Sequence, residues 1–473
     1  MFASTKSIIG NSYNYILSGN NKVVYGLITL IGVVFLIARN PSPFFFFDIW
    51  AEDGKYYLAS AFKNDAASFL SSYFWADVFH NCWNQKGYFQ FAKFLVSQFS
   101  VSIYLFLGCE DLVRIPQIIA LVSNLIYSMI FALPVLLFDK FYARGWLLAI
   151  VGINFLVDIG DNDFITFGRI LQLGFLSIYL AFLLSIYRFV RRDSNLGWQA
   201  WVIDLLLLVC TITQPVNLIF CVFLISARLY SILSKGGLFT WRISNWSLTL
   251  LGVCNLVYAV VLVFFVPSEE IAPDEARRPI IEVPLLRIIK VFLGKLFFNQ
   301  ELAWLHNRIP AILFVFLFLS FLYLLSRANR SWLYLSLFFW FSTSSLVVLW
   351  RPNVLLHFIK EPVIVYAMPS NLIAVFLQIS CIAIISASQD RLRFPKLIYW
   401  QYFVKILICL MVVVGLESSL TLTSEHFGYG SRISIREGIA IAKSEGRVDK
   451  EGRLQVPINP PKWTMWVPLR YIP

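Results

Sequence analysis

The sequence has few charged residues and many apolar ones. Asp, Glu, Lys and Arg make up 14% of the 473 residues, against about a quarter in a soluble domain, and 59% of the residues are hydrophobic. The mean hydropathy is +0.72, and apolar stretches recur from one end of the chain to the other. This composition excludes an ordinary water-soluble enzyme and favours one membrane domain with inserted loops and a tail.

Several common motifs are also missing. The sequence has no P-loop, no Gly-x-Gly-x-x-Gly after a strand, no His-Glu-x-x-His and no Gly-x-Ser-x-Gly. Nothing therefore supports a nucleotide sugar bound on a soluble Rossmann-like domain. Five of the seven cysteines lie in apolar runs, which leaves Cys82 and Cys109 and no disulfide framework or metal spacing. The polar N-terminus lacks a cleavable signal pattern, so the first apolar run is expected to stay as an anchor.

Long apolar runs predict an all-α polytopic membrane protein with about eleven spans, since a helix needs about 20 apolar residues to cross the hydrocarbon layer. The predicted spans are 22–38, 115–137, 145–158, 166–187, 199–213, 216–230, 246–266, 309–326, 332–349, 367–387 and 401–420. The fifth and sixth are either two spans or one broken hairpin around Pro215. Residues 88–107 are also apolar, but Lys93 and Gln98 interrupt them and favour an interfacial or re-entrant helix.

The distribution of charge predicts which side each loop faces. The net charge is +12, and Lys and Arg cluster in short segments between apolar runs, which points to the positive-inside rule and not to nucleic acid. With the N-terminus inside, the inner segments hold fifteen Lys and Arg and three acids, whereas the first outer segment, 39–114, holds six bases and seven acids. The C-terminus is then expected outside.

The predicted outer face carries the large loops. The transmembrane domain is expected to cover 1–420, with periplasmic loops 39–114 and 267–308 inserted, and the periplasmic tail is expected to cover 421–473. The second half of loop 267–308 alternates apolar and basic residues as an interfacial amphipathic helix does.

Three carboxylates follow the first span within six residues. Asp48, Glu52 and Asp53 stand beside an aromatic cluster that includes Trp50 and is typical of a membrane interface. Such a group serves as a general base or holds a cation, and a semi-apolar setting raises a carboxylate pKa toward a useful range. The alternative is a solvated acidic turn that caps the following helix.

Three short segments carry a resemblance to a known family. They are WAEDGKYYL at 50–58, GYFQFAKFL at 87–95 and VPINPPKWTMWVPL at 456–469. The first two resemble the first outer loop of GT-C-type glycosyltransferases, and more narrowly of bacterial and phage-borne O-antigen glucosyltransferases that change serotype. The third resembles the Pro-Pro-x-Trp-x-Met ending of those proteins. In sequence the likeness covers only these segments.

The resemblance implies an inverting transfer of glucose or another hexose from undecaprenyl phosphate to a lipid-linked O-antigen. Glu52 or Asp53 would then be the catalytic base. The donor phosphate would meet cations near the outer ends of spans or in the tail, and Asp48, Trp50, Gly87 and Tyr88 would contact substrate. The candidate cations are Arg169, Arg351, Lys360 and Lys462, each of which is otherwise a snorkelling interface residue.

A second acidic group lies in the predicted turn between the third and fourth spans. Asp158, Asp161 and Asp163 resemble in position the second acidic site of such enzymes, which implies binding of the acceptor, a divalent cation or the donor phosphate. The alternative is a simple hydrophilic turn. No cofactor is expected apart from that possible divalent cation, and no metal is identified.

Two other functions fit the same architecture. An O-antigen polymerase also has about a dozen spans and large outer loops, but it relies on outer-loop arginines. A transporter or flippase should show internal repeats with broken helices and ionisable residues at mid-membrane. No convincing repeat is visible, and apart from Asp158 and Glu417 at or near the outer ends of their spans, Asp204 is the only acid inside a predicted span.

Overall fold

The computed structural model describes twelve continuous segments and three single residues. These are residues 20–49, 53–63, 72–81, 89–109, 111–156, 167–170, 172–191, 196–234, 243–264, 368–387, 433–459 and 462–472, with Tyr323, Leu335 and Phe338. The described part is mostly helical. Its α-helices are α1 Asn21–Arg39, α2 Ser42–Phe45, α3 Ala59–Lys63, α4 Ser72–Asn81, α5 Phe91–Phe106, α6 Ile115–Leu137, α7 Arg144–Phe155, α8 Leu173–Val190, α9 Trp198–Thr213, α10 Leu218–Ser234, α11 Ile243–Phe264, α12 Met368–Ala387 and α13 Ile435–Ser444. A π-helical segment, Asp53–Leu58, leads into α3.

Among the described helices, three are long and apolar enough to cross a membrane. They are Asn21–Arg39, Leu112–Leu137 and Leu173–Val190, and five further apolar helices of 10–17 residues accompany them. The predicted spans from 22–38 to 246–266, and the one at 367–387, coincide with described helices apart from shifts at their ends. The spans predicted at 309–326, 332–349 and 401–420 lie outside the described residues.

The fourth predicted span begins later than the hydropathy indicated. The prediction started it at residue 166, but α8 starts at Leu173. Gly168 has a φ of +71°, which no continuing α-helix allows, so residues 167–170 form a turn. Hydropathy predicted an earlier start because Phe167 and Ile170 are apolar and buried. Such residues raise the hydropathy of a buried turn as much as that of a helix.

The chain reverses at Gln214, as both alternatives for the fifth and sixth predicted spans require. Gln214 is extended, with φ −143° and ψ 109°, and a 3₁₀ turn at Pro215–Asn217 follows it. Thr211 Oγ1 and Cys221 Sγ lie 3.5 Å apart, whereas ten residues of continuous helix would separate them by about 15 Å. Helices α9 and α10 are therefore separate and joined by a sharp break.

The chain divides into two compact units. The first contains residues 1–36, 125–161 and 276–425, and the second contains 37–124, 162–275 and 426–473. In the first unit α7 packs on α12, and Phe138 packs on Phe376 with ring centroids 5.1 Å apart. Ser128 Oγ donates to the Thr29 carbonyl at 2.6 Å, which ties the start of the chain to α6.

The second unit contains the helices α5, α8, α9, α10 and α11, which pack on one another. A buried ion pair joins three of them. Arg188 Nε lies 3.2 Å from Asp204 Oδ1, and Ser247 Oγ donates to Asp204 Oδ2 at 2.6 Å. Asp204 therefore has a structural partner on α8, which explains an acid inside an apolar helix.

The tail is part of the second unit and is not all-α. Two strands, β1 Arg453–Ile458 and β2 Trp463–Pro468, pair antiparallel in register Arg453↔Pro468 to Ile458↔Trp463. The all-α expectation is wrong here because residues alternate between a buried and a half-exposed face along both strands. Helix α13 begins at a capping box formed by Ser434 and Glu437 and packs on β1.

Candidate functional site

A buried ion pair joins the first predicted loop to the turn before α8. Arg169 Nη2 donates to both carboxylate oxygens of Asp48 at 2.9 Å, and Arg169 Nη1 donates to the Asp48 carbonyl at 2.9 Å. Asp48 is 1% exposed and Arg169 is 2% exposed. Two residues that the sequence separates by 121 positions thus meet as a fixed, desolvated pair.

Asp53 lies beside this pair and is also buried. It is the first residue of the π-helical segment, it is 1% exposed, and its Oδ2 accepts from the Ile170 backbone N–H at 3.2 Å. The alternative of a solvated acidic turn is therefore wrong for Asp48 and Asp53. Single π-helical turns are rare and frequently occur at functional sites.

The turn at 167–170 is held by polar contacts on both sides. Asn124 Oδ1 accepts from the Gly168 N–H at 2.7 Å, and Asn40 Nδ2 donates to the Phe167 carbonyl at 2.5 Å. A side chain at Gly168 would be strained at φ +71° and would lie 3.3 Å from Ala120 Cβ. The turn consequently presents Arg169 and the Ile170 N–H to the two aspartates at once.

The C-terminal tail docks on the same segment. The Ile435 N–H donates to the Phe47 carbonyl at 3.0 Å, and the Asn459 N–H donates to the Ile49 carbonyl at 3.1 Å. Strand β2 also packs on the π-helical segment and on α3. The segment that follows α2 and the C-terminal tail, which lie far apart in sequence, therefore form one structural element.

Gly54 permits the close approach of the tail. A Cβ at this position would lie 2.5 Å from Ile458 Cδ1 and 2.9 Å from Ile49 Cγ2. Gly54→Val should loosen the docked tail, because overpacking a filled contact costs about 1–3 kcal/mol. Limited proteolysis of the purified protein should then cleave residues 433–472 several times faster than in the wild type. Gly152→Ala is the control, since nothing lies within 4 Å of a Cβ there, and equal cleavage rates for Gly54→Val and the wild type would contradict this packing.

An aromatic and cationic surface forms where the two ends meet. Lys55 Nζ lies 5.0 Å from the centroid of the Tyr56 ring and 5.2 Å from that of Trp463, and these two rings pack edge to face. Lys55 and Lys462 are exposed, and Tyr56 and Trp463 are half-buried. Aromatic faces with adjacent cations suit a sugar that carries a phosphate.

Backbone strain is concentrated in this region. Among the described residues, three that are not glycine have positive φ: Phe47 at 53°, Gln90 at 52° and Lys462 at 77°. Phe47 precedes Asp48 and binds α13, and Lys462 lies in the turn between β1 and β2. Gln90 precedes α5 and accepts a hydrogen bond from Tyr57 Oη. Such conformations cost about 1–3 kcal/mol each and tend to cluster at functional sites.

Gln90 and Lys93 were not predicted as site residues from the sequence. Lys93 is 4% exposed, and its Nζ donates to Gln90 Oε1 at 3.1 Å and lies 5.6 Å from the centroid of the Tyr57 ring. Lys93 and Gln98 had been interpreted only as interruptions of an apolar run. The spacing of the residues could have indicated this burial. Residues 93, 94, 97, 98, 101 and 104 lie on one face of α5, residue 90 directly precedes the helix, and all are buried.

The structure describes only some of the predicted site residues. The structure brings together Asp48, Asp53 and Arg169, and it places Lys462 beside Trp463 in the docked tail. Nine predicted residues lie outside the described part of the chain: Glu52, Trp50, Gly87, Tyr88, Asp158, Asp161, Asp163, Arg351 and Lys360. Within the described residues, no group of three His, Cys, Asp or Glu side chains is placed to hold a metal ion.

Comparisons with known proteins do not assign a family. No family model, no curated protein and no solved structure matches the chain. The function must therefore be argued from the site.

Proposed function

We propose that this chain is a GT-C-like inverting glycosyltransferase of the bacterial inner membrane. It transfers glucose or another hexose from undecaprenyl phosphate to a lipid-linked O-antigen on the periplasmic face and thereby modifies lipopolysaccharide. About eleven spans, with the N-terminus inside and the C-terminus outside, place the first loop and the tail on that face.

The observation that carries the proposal is the assembly around Asp53. The first loop and the 167–170 turn, which lie far apart in sequence, meet at the Asp53 carboxylate beside a buried Asp48–Arg169 pair, and the C-terminal tail docks on the backbone of the same loop segment. A buried cluster of ionisable groups is a candidate functional site.

The chemistry requires one base and a stabilised leaving group. A carboxylate at Asp53 or Glu52 accepts the proton of an acceptor hydroxyl as that oxygen bonds to the anomeric carbon. The bond between that carbon and the phosphate oxygen breaks, and undecaprenyl phosphate leaves with the electron pair. One displacement inverts the anomeric configuration.

Cations near the site fit the charge of the leaving phosphate. Arg169 is fixed next to Ile170, whose N–H binds Asp53. Lys55 and Lys462 are exposed beside Trp463, where a headgroup that reaches the tail would meet positive charge and an aromatic face. If the reaction uses a divalent cation, this proposal assigns its binding to Asp158, Asp161 and Asp163.

Linkage analysis of lipopolysaccharide tests the function. A deletion strain should lose a branch hexose while the distribution of O-antigen chain lengths stays unchanged, and the plasmid-borne gene should restore the branch. A change in chain length with all branches intact would identify a polymerase instead. Unchanged lipopolysaccharide in the deletion strain would contradict both functions.

A further inference from the structure

Two distant segments of the chain form an exposed surface with a cation at its centre. Lys55 Nζ, from the first loop, lies 5.0 Å from the centroid of the Tyr56 ring and 5.2 Å from that of the Trp463 ring in the tail. The two rings pack edge to face with centroids 6.4 Å apart. Lys55 is exposed, and both rings are half-buried. One ring from its own segment and one from the docked tail therefore hold this cation in place, and solvent reaches it.

The two segments expose positive charge and no acid. Lys462, the neighbour of Trp463, is also exposed. Residues 462–472 include no Asp or Glu, and the only acid of residues 53–63 is Asp53, which is 1% exposed. Among the residues that the structure describes, none forms an ion pair with Lys55. The lysine–tryptophan surface, defined as Lys55, Tyr56, Lys462 and Trp463, is therefore open to an anion.

The backbone at Lys462 favours glycine, yet a lysine stands there. Its φ of +77° is a conformation that glycine adopts without steric cost and that costs another residue about 1–3 kcal/mol. Two other positive-φ positions among the described residues of the tail are Gly446 at +62° and Gly452 at +70°. The tail thus uses glycine at two such positions and a lysine at the third, which points to a role for the lysine side chain.

The surroundings of the lysine–tryptophan surface indicate a lipid phosphate as the anion. Lysine binds phosphate as a point charge, and Trp and Tyr side chains favour the membrane–water interface. The tail binds the backbone of Phe47 and Ile49, which follow Arg39, the last residue of α1, by eight and ten residues. Helix α1 is long and apolar enough to cross a membrane, and ten residues span at most about 36 Å. The surface therefore lies within reach of lipid headgroups.

We propose that the lysine–tryptophan surface binds the phosphate group of a membrane lipid, and that this binding holds the tail on the first loop. The site needs Lys55 from the loop and Trp463 from the tail, so it exists only while the tail is docked. Ligand binding and tail docking then stabilise each other to the same extent. The proposed function supplies one such lipid, the prenyl phosphate that a transferase releases, and the site rests on that function only to this extent. Phospholipid headgroups carry the same chemistry.

Protection of the tail from a protease tests the site. The purified full-length protein, in a neutral detergent, is cleaved within residues 433–472 in the presence of farnesyl phosphate, of uncharged farnesol or of a short-chain phosphatidylglycerol. Farnesyl phosphate should slow this cleavage, by about tenfold at ten times its Kd, because the protease needs an undocked tail and the ligand binds only the docked one. Farnesol should have no effect. Equal protection by phosphatidylglycerol would identify any lipid phosphate as the ligand, whereas protection by farnesyl phosphate alone would identify a prenyl carrier.

Lys55→Gln removes the central charge and keeps a side chain of similar length. The Kd for farnesyl phosphate, taken from the protection curve, should rise about two- to fivefold, the range of one exposed ion pair. Trp463→Leu should raise this Kd similarly, whereas Trp463→Phe, which keeps an aromatic ring, should bind nearly as the wild type does. Lys450→Gln is the matched control and should bind as the wild type does. Lys450 is exposed in the same tail but precedes β1, and the length of that strand, about 17 Å, separates it from Trp463.

Several results would overturn the site. They are unchanged cleavage with both lipid phosphates, equal Kd values in Lys55→Gln and Lys450→Gln, and full protection by farnesol. In the wild type, protection should also weaken at about 1 M salt, where the screening length is about 3 Å, and protection that does not depend on salt would contradict the role of charge. Protection by farnesyl phosphate with unchanged lipopolysaccharide in the deletion strain would keep the site and remove the transferase assignment. Hexose transfer without protection would do the reverse.

Discussion

Asp53→Asn should lower hexose transfer by about 10²- to 10⁴-fold, the usual contribution of a general base. The side-chain oxygen of asparagine can still accept from the Ile170 N–H, which Asp53 Oδ2 binds at 3.2 Å. The 167–170 turn should therefore stay in place, and the protein should insert and unfold thermally as the wild type does. What the variant loses is the carboxylate that can take a proton. Transfer is measured in membranes with a radiolabelled donor.

Two further variants make this result interpretable. Asp77→Asn is the control, because Asp77 also accepts a side-chain hydrogen bond, from Ser60 at 2.6 Å, but belongs to α4 and not to the site; it should transfer at the wild-type rate. Glu52→Gln tests the neighbouring candidate. If Asp53→Asn is active and Glu52→Gln is not, the base is Glu52. Wild-type transfer in both variants would remove the catalytic assignment of this segment.

The pattern of apolar residues predicted the helices well because helix length and hydropathy are local properties. The helix predicted at 22–38 is described as Asn21–Arg39, and the one at 115–137 as Ile115–Leu137. Hydropathy failed where a buried segment is not helical, as at 167–170, because burial raises apolar content in a turn as much as in a helix. The hairpin in the tail was not predicted, although its residues alternate between apolar and polar. The all-α prediction for the membrane domain had been applied to the tail as well.

The candidate site was predictable only in part. Local composition pointed to Asp48 and Asp53, and position at a span end pointed to Arg169. No sequence property predicted that Arg169 pairs with Asp48, because that pairing depends on how two distant segments pack. Lys93 and Gln98 were visible as polar residues in an apolar run, but the sequence did not predict that Lys93 is buried and donates to Gln90.

The two ends of the chain illustrate the same limit. The likeness of residues 50–58 and 456–469 to one family did not say that they touch. In the structure Asn459 binds Ile49 and Trp463 packs on Tyr56. The parts of both segments that the structure describes thus pack on each other.

Removing one partner of the Asp48–Arg169 pair should destabilise the protein strongly. Asp48→Leu leaves the Arg169 guanidinium buried and uncompensated, and breaking a buried pair in this way costs about 3–5 kcal/mol. The yield of folded protein and its apparent Tm in detergent should both fall. The double variant Asp48→Leu/Arg169→Met should recover most of the stability, because apolar residues of similar volume replace a buried ion pair at little cost.

Transfer should not recover with stability in that double variant. Arg169 is the fixed cation beside the residue that binds Asp53, and the proposed reaction releases a phosphate whose charge must be stabilised; loss of such a group typically costs about 10²- to 10³-fold in rate. The control is the pair Arg188–Asp204, equally buried in the same unit at 3.2 Å. Arg188→Met/Asp204→Leu should recover both stability and transfer. If Asp48→Leu/Arg169→Met transfers hexose as fast as that control, the first pair serves only the fold, and the stabilising cation has to be sought at Lys55, Lys93 or Lys462.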